Sequence, residues 1–159
     1  MGANLPKKTK PRLDALDAEI IEALSVDARV PMSDLARATG MSGPTITERV
    51  RKLEASGVIR GFTIELEPKM LGYTLEAIVR IKPRPGQLHQ VEKLIQNEPR
   101  FVACDKVTGE DCFIARLLLM TIEELDALLD GFHVRAETNT AIIKSSPVKR
   151  RMPPLISGD

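Results

Sequence analysis

The sequence is short of aromatic residues and of cysteine. Aromatics make up 3% of the chain and tryptophan is absent, whereas proteins that bind single-stranded RNA usually stack bases on aromatic rings. The two cysteines, Cys104 and Cys112, match no zinc-binding spacing. If residues 108–111 form a hairpin loop, Cys104 faces Ala115, which disfavours a disulfide between the cysteines. We therefore expect buried, inert thiols and neither a metal nor a cofactor.

The sequence also lacks a large excess of one charge and any long apolar run. The formal net charge is +1, which argues against a protein coated in positive charge, so any contact with nucleic acid must be local. No apolar run approaches the roughly 20 residues of a membrane helix. The N-terminal segment MGANLPKKTKPR has no apolar stretch of the kind found in a secretory signal. We therefore expect a cytoplasmic protein with no membrane partner.

The hydrophobic pattern divides the chain into two small domains. A chain of 159 residues that is 43% apolar can bury one good core or two small ones, and the apolar period changes from helical to alternating after Phe62. We predict a mobile basic tail at 1–12, a helical domain at 13–61, a linker strand and joint at 62–74, a second domain at 75–152, and a tail at 153–159. Alternatively, the basic tail is an arm that lies along a phosphate backbone at low salt.

Residues 13–61 carry the signals of three short helices. Apolar residues recur at helical spacing in each of them, and polar caps and glycines mark their ends. The predicted boundary residues are Asp14 and Asp17 at the start of the first helix, Val26 at its end, Ser33 and Ser42 at the starts of the second and third, Gly40 in the turn between these two, and Gly57 at the end. Two helices joined by a glycine turn are typical of a helix-turn-helix, whose second helix lies in the major groove of DNA.

One side of the third helix is predicted to contact double-stranded DNA. Ile46, Val50 and Leu53 share a single face and should form the core, which leaves the other faces exposed. The first exposed residues are placed to touch base edges, and the basic residues that follow are placed to hold phosphates. The candidate DNA-binding residues are Ser42, Pro44, Thr45, Thr47, Glu48, Arg49, Arg51 and Lys52. An ordinary solvated helix face is the alternative.

From residue 75 the predicted elements follow the order β-α-β-β-α-β. Alternating patterns predict strands over 75–82, 101–107, 112–120 and 138–148. Helical stripes begin at Leu88 and after a capping box opened by Thr121. This order is typical of the ferredoxin-like fold, a four-stranded antiparallel sheet with two helices on one face. The chain is thus predicted to be α+β, with an N-terminal three-helix helix-turn-helix domain, a linker strand and a C-terminal ferredoxin-like domain.

The predicted strand at 112–120 indicates that the protein forms an assembly. It is apolar on both faces, with Cys112, Ile114 and Leu118 on one and Phe113, Ala115, Leu117 and Leu119 on the other. Because the helices of a ferredoxin-like domain cover one sheet face, something must cover the second. A second copy of the chain is the simplest cover, and a dimer suits a helix-turn-helix that reads two half-sites. The alternative cover is the linker strand, folded back.

Several motifs along the chain carry a family resemblance. They are Asp27 to Arg29 (DAR), Leu35-Ala36, the R-x-x-x-LE-x-x-G-x-I pattern from Arg49 to Ile59, and Leu71-Gly72-Tyr73. With them the chain resembles the Lrp/AsnC "feast/famine" transcriptional regulators over about residues 13–152. The resemblance implies a helix-turn-helix joined to a βαββαβ effector domain, dimers that often associate into octamers as a tetramer of dimers, and DNA binding or assembly that responds to a small amino acid.

The resemblance also implies an effector site between dimers. Its residues would be Val107, Thr108, Gly109, Glu110 and Asp111 in one loop, with Thr138, Asn139 and Thr140 at the start of the last strand. Carboxylates there can bind an ammonium, and N–H and hydroxyl donors can bind a carboxylate.

The loop departs from the family pattern at one position. The family commonly has Gly-Asp-x-Asp, whereas this chain has Gly109-Glu110-Asp111-Cys112, so the second acid is displaced by one residue and should point to the opposite face. Either the turn reorients Asp111 or the protein recognises an ammonium differently. A plain hairpin turn is the alternative for the whole loop.

The residues give little support to catalysis. His89 and His133 have no cysteine nearby in the sequence and no metal-binding spacing, so we predict that the protein is not an enzyme. Two alternatives remain open at this point, a ferredoxin-like small-molecule-binding enzyme and an RNA-binding module.

Overall fold

The computed structural model describes residues 12–155, so most of the predicted basic tail lies outside the described residues. The elements in chain order are α1 (Ala15–Val26), α2 (Met32–Thr39), α3 (Gly43–Ala55), a 3-10 turn (Pro68–Leu71), β1 (Leu75–Pro83), α4 (Leu88–Asn97), β2 (Phe101–Lys106), β3 (Phe113–Leu119), α5 (Ile122–Asp130) and β4 (Ala136–Ile142). None of the helices in this part of the chain is long and apolar enough to cross a membrane.

The described residues divide into two compact units. The N-terminal unit runs to Ile64 and also includes the segment from Arg150, whereas the C-terminal unit is Glu65–Lys149. Leu155 packs against the apolar core of the N-terminal unit. The end of the described chain therefore belongs with the helices, whereas we predicted that the second domain runs to residue 152 and is followed by a tail.

The N-terminal unit has its own hydrophobic core between α1, α2 and α3. The predicted capping box of α1 is present, since Asp14 and Asp17 each accept a hydrogen bond from the other's backbone N–H. The apolar residues at helical spacing point inward and are buried. This core consists of Ile20, Ile21, Leu24, Leu35, Ala36, Ile46, Val50 and Leu53.

The connection between α2 and α3 forms the predicted turn. Gly40 has φ 68, Met41 N–H donates to the carbonyl of Ala36 at 2.9 Å, and Gly40 N–H donates to that of Arg37 at 3.4 Å. These bonds make a Schellman motif, which needs a left-handed residue at this place. The predicted cap by Ser33 is wrong, however. The helix begins at Met32 after Pro31, with no side-chain cap, because the carbonyl of Pro31 already accepts hydrogen bonds from the N–H groups of Asp34 at 2.9 Å and Leu35 at 3.2 Å.

The C-terminal unit is a four-stranded antiparallel sheet in the order β2-β3-β1-β4. Both α4 and α5 pack on one face, through Val91 and Ile95 from α4 and Leu125, Leu128 and Leu129 from α5. This confirms the ferredoxin-like arrangement. In the centre of the sheet, β1 contributes Ala77, Val79 and Ile81 to that core, each fully buried.

Strand alternation puts a second set of side chains on the opposite sheet face, here called the bare face. It carries Glu76, Ile78, Arg80 and Lys82 from β1, Ile114, Arg116 and Leu118 from β3, and Glu137, Asn139 and Ala141 from β4. This face is less apolar than we expected from the sequence, because Arg116 lies at its centre. The Arg116 guanidinium donates a hydrogen bond to the carboxylate of Glu76, so the charge is paired across neighbouring strands.

The predicted linker strand is not found among the described residues, since residues 60–67 join no ladder. A strand needs a neighbour for its backbone N–H and C=O groups, and this segment has none in a single chain. The alternation that suggested a strand is real, but Phe62, Ile64 and Leu66 are all exposed.

The last strand, predicted over 138–148, is also shifted. β4 spans Ala136–Ile142, because it pairs with β1 from Pro83 back to Ala77. Past the end of β4, Ile143 N–H still donates to the carbonyl of Glu76 at 2.9 Å, but residues 143–148 are no longer strand.

The predicted hairpin register is confirmed, since Cys104 pairs with Ala115 across β2 and β3. The expectation of buried thiols is wrong. Cys104 is exposed on the edge strand β2, and Cys112 is half-buried. Although the residue is exposed, neighbouring groups exclude water from part of its thiol, and this desolvation, together with the charges of Asp105 and Glu92, raises the pKa of Cys104, which lowers the fraction present as reactive thiolate.

Candidate functional site

The exposed side of α3 is the first candidate site. Ile46, Val50 and Leu53 bury one face of this helix. On its other sides stand the predicted DNA-contacting residues Pro44, Thr45, Thr47, Glu48, Arg51 and Lys52, all of them at least partly exposed. The structure thus presents six of the eight predicted residues to solvent along one helix.

Hydroxyl groups at the start of α3 are fixed by local hydrogen bonds. Ser42 Oγ accepts from the N–H of Thr45 at 3.3 Å and lies 2.8 Å from Thr45 Oγ1. Thr47 Oγ1 donates to the carbonyl of Gly43 at 3.0 Å. Ser42 therefore acts as the predicted helix cap. Because a hydroxyl oxygen has two lone pairs, Thr45 and Thr47 keep acceptor capacity for a base edge.

Charged groups in the middle of α3 are only loosely paired with one another. Glu48 lies 3.8 Å from the guanidinium of Arg51 and 3.9 Å from the ammonium of Lys52. All three side chains are more than half exposed. Exposed pairs of this kind contribute little free energy, so both cations are available to exchange Glu48 for a phosphate group.

Arg49 is also part of α3, but its side chain contacts the start of α1 and is less exposed than this set. Its guanidinium donates to Asp17 Oδ1 at 3.0 Å and also to the carboxylate of Asp14, and its side chain is 33% exposed. The hydrogen bond from Arg49 lowers the pKa of Asp14 below its ordinary value of 3.8. Arg49 thus ties α3 to the start of α1. Both bonds come from Nη1, and a guanidinium has further N–H donors, so phosphate binding by Arg49 stays a prediction.

The second candidate site is the loop between β2 and β3. Gly109 has φ 118 and Cys112 has φ 55. Val107 N–H donates to the carbonyl of Cys112 at 2.8 Å, and Phe113 N–H to that of Asp111 at 2.6 Å. The loop is therefore a tight turn in which two residues adopt left-handed backbone conformations, one of them without glycine's freedom.

The left-handed conformation of Cys112 reverses the faces of the residues around it. Strict alternation from Phe113, which is in the core, would put Cys112 on the bare face. Instead, Cys112 packs against the core, and Asp111 lies 3.9 Å from Arg80, which is on the bare face. Of the two explanations for the displaced acid, this geometry favours reorientation of Asp111 by the turn.

Two cations of β1 lie beneath the loop. Asp111 Oδ2 is 3.9 Å from Arg80 Nε, and Glu110 Oε2 is 3.6 Å from Lys82 Nζ. Sequence reasoning missed both cations because it took β1 as a scaffold strand. The signal was present, since Arg80 and Lys82 alternate with the buried residues and so share one face.

Only one of the three predicted β4 residues shares the bare face with these cations. Asn139 pairs with Arg80 in the sheet, whereas Thr138 and Thr140 pair with the buried Ile81 and Val79. Directly paired residues point to the same side of an antiparallel sheet. The structure therefore places Asn139 on the side of Arg80 and Lys82, and Thr138 and Thr140 on the helix side.

The histidines form no site with other groups in the described chain. His89 is exposed on α4, and His133 lies 3.5 Å from Asp130 at the surface. Within residues 12–155 no group of three metal-ligating side chains is close enough to hold an ion.

Comparison with known proteins finds matches for both halves of the chain. Residues 13–54 match the AsnC-type helix-turn-helix domain, and residues 76–153 match the Lrp/AsnC ligand binding domain. The chain is 31% identical to the HTH-type transcriptional regulator LrpC of Bacillus subtilis, over 84% of this chain and 93% of that protein. It is 34% identical to the HTH-type transcriptional regulator FL11 of Pyrococcus horikoshii, over 74% of this chain and 78% of the relative.

Solved structures show the same fold. The structure of B. subtilis LrpC superimposes with a TM-score of 0.82 at 30% identity, covering 88% of this chain and 100% of LrpC. A transcriptional regulator of Neisseria meningitidis, solved as a complex with L-Met, has a TM-score of 0.79 at 18% identity, covering 89% of this chain and 96% of the other. At that identity the second comparison establishes the fold alone.

We predict that replacing Asp14 with Asn weakens the link between α1 and α3 in a pH-dependent way. The folded-state pKa of Asp14 is depressed, so its stabilisation is present above the unfolded value and is lost as pH falls through the folded value. Because Asp14 is largely exposed, the loss of unfolding free energy at pH 7 should not exceed about 1 kcal/mol. Asn still caps a helix, so the cap itself is kept.

The measurement is the free energy of unfolding of wild type and Asp14→Asn between neutral and acid pH, with Asp126→Asn, an exposed residue of α5, as control. The gap between wild type and Asp14→Asn should close as pH falls below 3.8, the ordinary pKa of the group. A gap that stays constant with pH would show that the ion pair contributes nothing.

Proposed function

The chain belongs to the Lrp/AsnC family of transcriptional regulators, and we propose that it binds double-stranded DNA through α3 and adjusts this binding, or its own assembly, to a small amino acid. Its relatives are transcriptional regulators and not enzymes, so neither the enzyme nor the RNA-binding alternative is retained. Because its target is DNA, the cytoplasmic location expected from the sequence is part of the proposal.

The observation that carries the DNA-binding part is the exposed face of α3. It combines side chains able to touch bases at the N-terminal end with loosely paired cations further along, Arg51 and Lys52. Base contacts give sequence preference, and phosphate contacts give affinity and register. The clamp of Arg49 on Asp14 and Asp17 supports the same proposal, because it holds the reading helix against α1 at a fixed orientation.

We predict that replacing both Arg51 and Lys52 with alanine weakens binding to every duplex sequence. Each phosphate that a cation neutralises releases counterions, so the slope of log K against log salt should fall in magnitude by about 0.9 for each phosphate that is no longer neutralised. Alanine favours helix, and α3 should stay intact. The measurement is a titration of labelled duplex DNA at several salt concentrations.

The control is Lys93→Ala, which removes an exposed lysine of α4 and should leave the slope unchanged. If the double variant kept the wild-type salt slope, the exposed face of α3 would not be the phosphate-binding surface. If Lys93→Ala lowered the slope equally, the effect would come from net charge and not from α3.

The effector part of the proposal is supported by the paired charges at the loop between β2 and β3. An amino acid carries both an ammonium and a carboxylate, and this corner of the sheet carries two acids, Glu110 and Asp111, beside two cations, Arg80 and Lys82. The residues Val107, Thr108 and Gly109 supply the turn that holds the acids in place.

A homodimer that uses the bare face, and a tetramer of such dimers, complete the proposal. Ile78, Ile114 and Leu118 on that face are only half-buried in one chain. The linker side chains Phe62, Ile64 and Leu66 alternate like a strand but have no partner strand among the described residues. A second copy would cover the apolar part of the face and could pair with the linker.

We predict that at least one of the twenty L-amino acids raises the melting temperature of the wild-type protein, because a ligand that binds only the native state stabilises it by mass action. Gly109→Ala should abolish that shift. The backbone of Gly109, with φ 118, is accessible mainly to glycine, and an added Cβ would meet no other atom, so the expected damage is a distorted loop and not a clash.

Gly86→Ala is a matched control. Gly86 also has a positive φ, of 78, and an added Cβ there would likewise meet nothing, but the residue follows β1 and lies outside the loop. Both variants should melt somewhat lower than wild type, and only Gly109→Ala should lose the response to amino acids. An unchanged response in Gly109→Ala would place the effector site elsewhere.

A further inference from the structure

The ion pairs between β1 and the loop between β2 and β3 are too weak to contribute much to the stability of the fold. The two pairs are longer than normal hydrogen bonds, at 3.9 Å for Arg80 and Asp111 and 3.6 Å for Lys82 and Glu110. The side chains are between 44% and 90% exposed. Solvent screens such pairs, and they contribute little to folding. Each cation of β1 thus lies close to an acid of the loop without forming a strong ion pair with it.

The surroundings of the two cations differ in a way that distinguishes their roles. Arg80 lies between Ile114 on β3 and Asn139 on β4, both uncharged. Lys82 is paired on β4 with Glu137 and also lies beside Glu110. An incoming carboxylate would therefore meet two acids at Lys82. At Arg80 it would meet one acid and an amide that can donate a hydrogen bond.

The chemistry of the side chains also favours Arg80 over Lys82 as the partner of a carboxylate. A guanidinium offers a planar fork that matches a carboxylate with two parallel hydrogen bonds, whereas an ammonium acts as a point charge. The carboxylates of Glu110 and Asp111 accept hydrogen bonds only, which suits an ammonium group. A zwitterion placed here would separate Arg80 from Asp111 and satisfy both.

We propose that Arg80 binds the α-carboxylate of the amino-acid effector with Asn139 beside it, while Asp111 and Glu110 bind its α-ammonium. Arg80 is then the residue that distinguishes an amino acid from an amine of the same shape. This inference rests on the proposed effector function, and it adds two residues of the sheet face to a site otherwise built from loop and strand ends.

The test compares two probes on three variants of the full chain. The probes are the L-amino acid that gives the largest thermal shift with wild type, and its primary amide, which keeps the ammonium but lacks the carboxylate. The variants are Arg80→Gln, Arg80→Lys and Lys82→Gln, all at exposed positions of β1 on one face. Calorimetry gives each dissociation constant, and the melting temperature without ligand checks folding.

Arg80→Gln should weaken binding of the free amino acid roughly 10- to 100-fold, the usual effect of removing a hydrogen-bonded charge partner. Its affinity for the amide should stay close to that of wild type, so the preference for acid over amide should disappear. Arg80→Lys should keep part of the preference, because the charge remains and the fork is absent. Lys82→Gln should keep it in full.

Three outcomes would contradict the inference. Equal losses for acid and amide in Arg80→Gln would mean that Arg80 only supports the structure of the site. A loss of the preference in Lys82→Gln and not in Arg80→Gln would assign the carboxylate to Lys82. Wild-type affinity in Arg80→Gln would exclude any contact with the effector. By contrast, a wild-type protein that binds none of the twenty amino acids would overturn the proposed effector function itself.

Discussion

The register of β1 against its two neighbours decides what the C-terminal unit can present to a ligand. Ala77, Val79 and Ile81 are fully buried under α4 and α5, and a shift by one residue would expose all of them. The same register forces Arg80 and Lys82 onto the other face, beneath the loop that carries Glu110 and Asp111. A strand that builds the core therefore also builds the floor of the proposed effector site.

Apolar packing and one network of ion pairs fix the orientation of α3 in the N-terminal unit. Ile46, Val50 and Leu53 fix which face of α3 is buried, and Arg49 joins α3 to Asp14 and Asp17 at the start of α1. Because Arg49 is bonded inside the domain, we assign the proposed phosphate binding mainly to Arg51 and Lys52. One copy of α3 then has few cations for DNA, which makes a paired arrangement of two copies important for affinity.

Local signals predicted most of the fold, and long-range interactions account for what they missed. The hydrogen bonds of Asp14, Gly40 and Ser42 join residues close in sequence, so these caps and this turn could be predicted from the sequence. The acidic partners of Arg49 lie 32 and 35 residues away, and no local pattern reveals them. The orientation of Asp111 goes with the positive φ of Cys112, a conformation that is uncommon for a residue other than glycine and that the sequence pattern does not reveal.

Selection of bound duplexes from a random library is the decisive experiment on the proposal that the exposed face of α3 recognises a sequence in double-stranded DNA. The full chain should enrich a recurring sequence, with two related half-sites if a dimer binds. Glu48→Ala should change the preferred base at one position of each half-site, because a carboxylate on this face can accept a hydrogen bond from cytosine. Enrichment of no sequence, or of the same sequence at every position by wild type and Glu48→Ala, would show that this face of α3 does not select the DNA sequence.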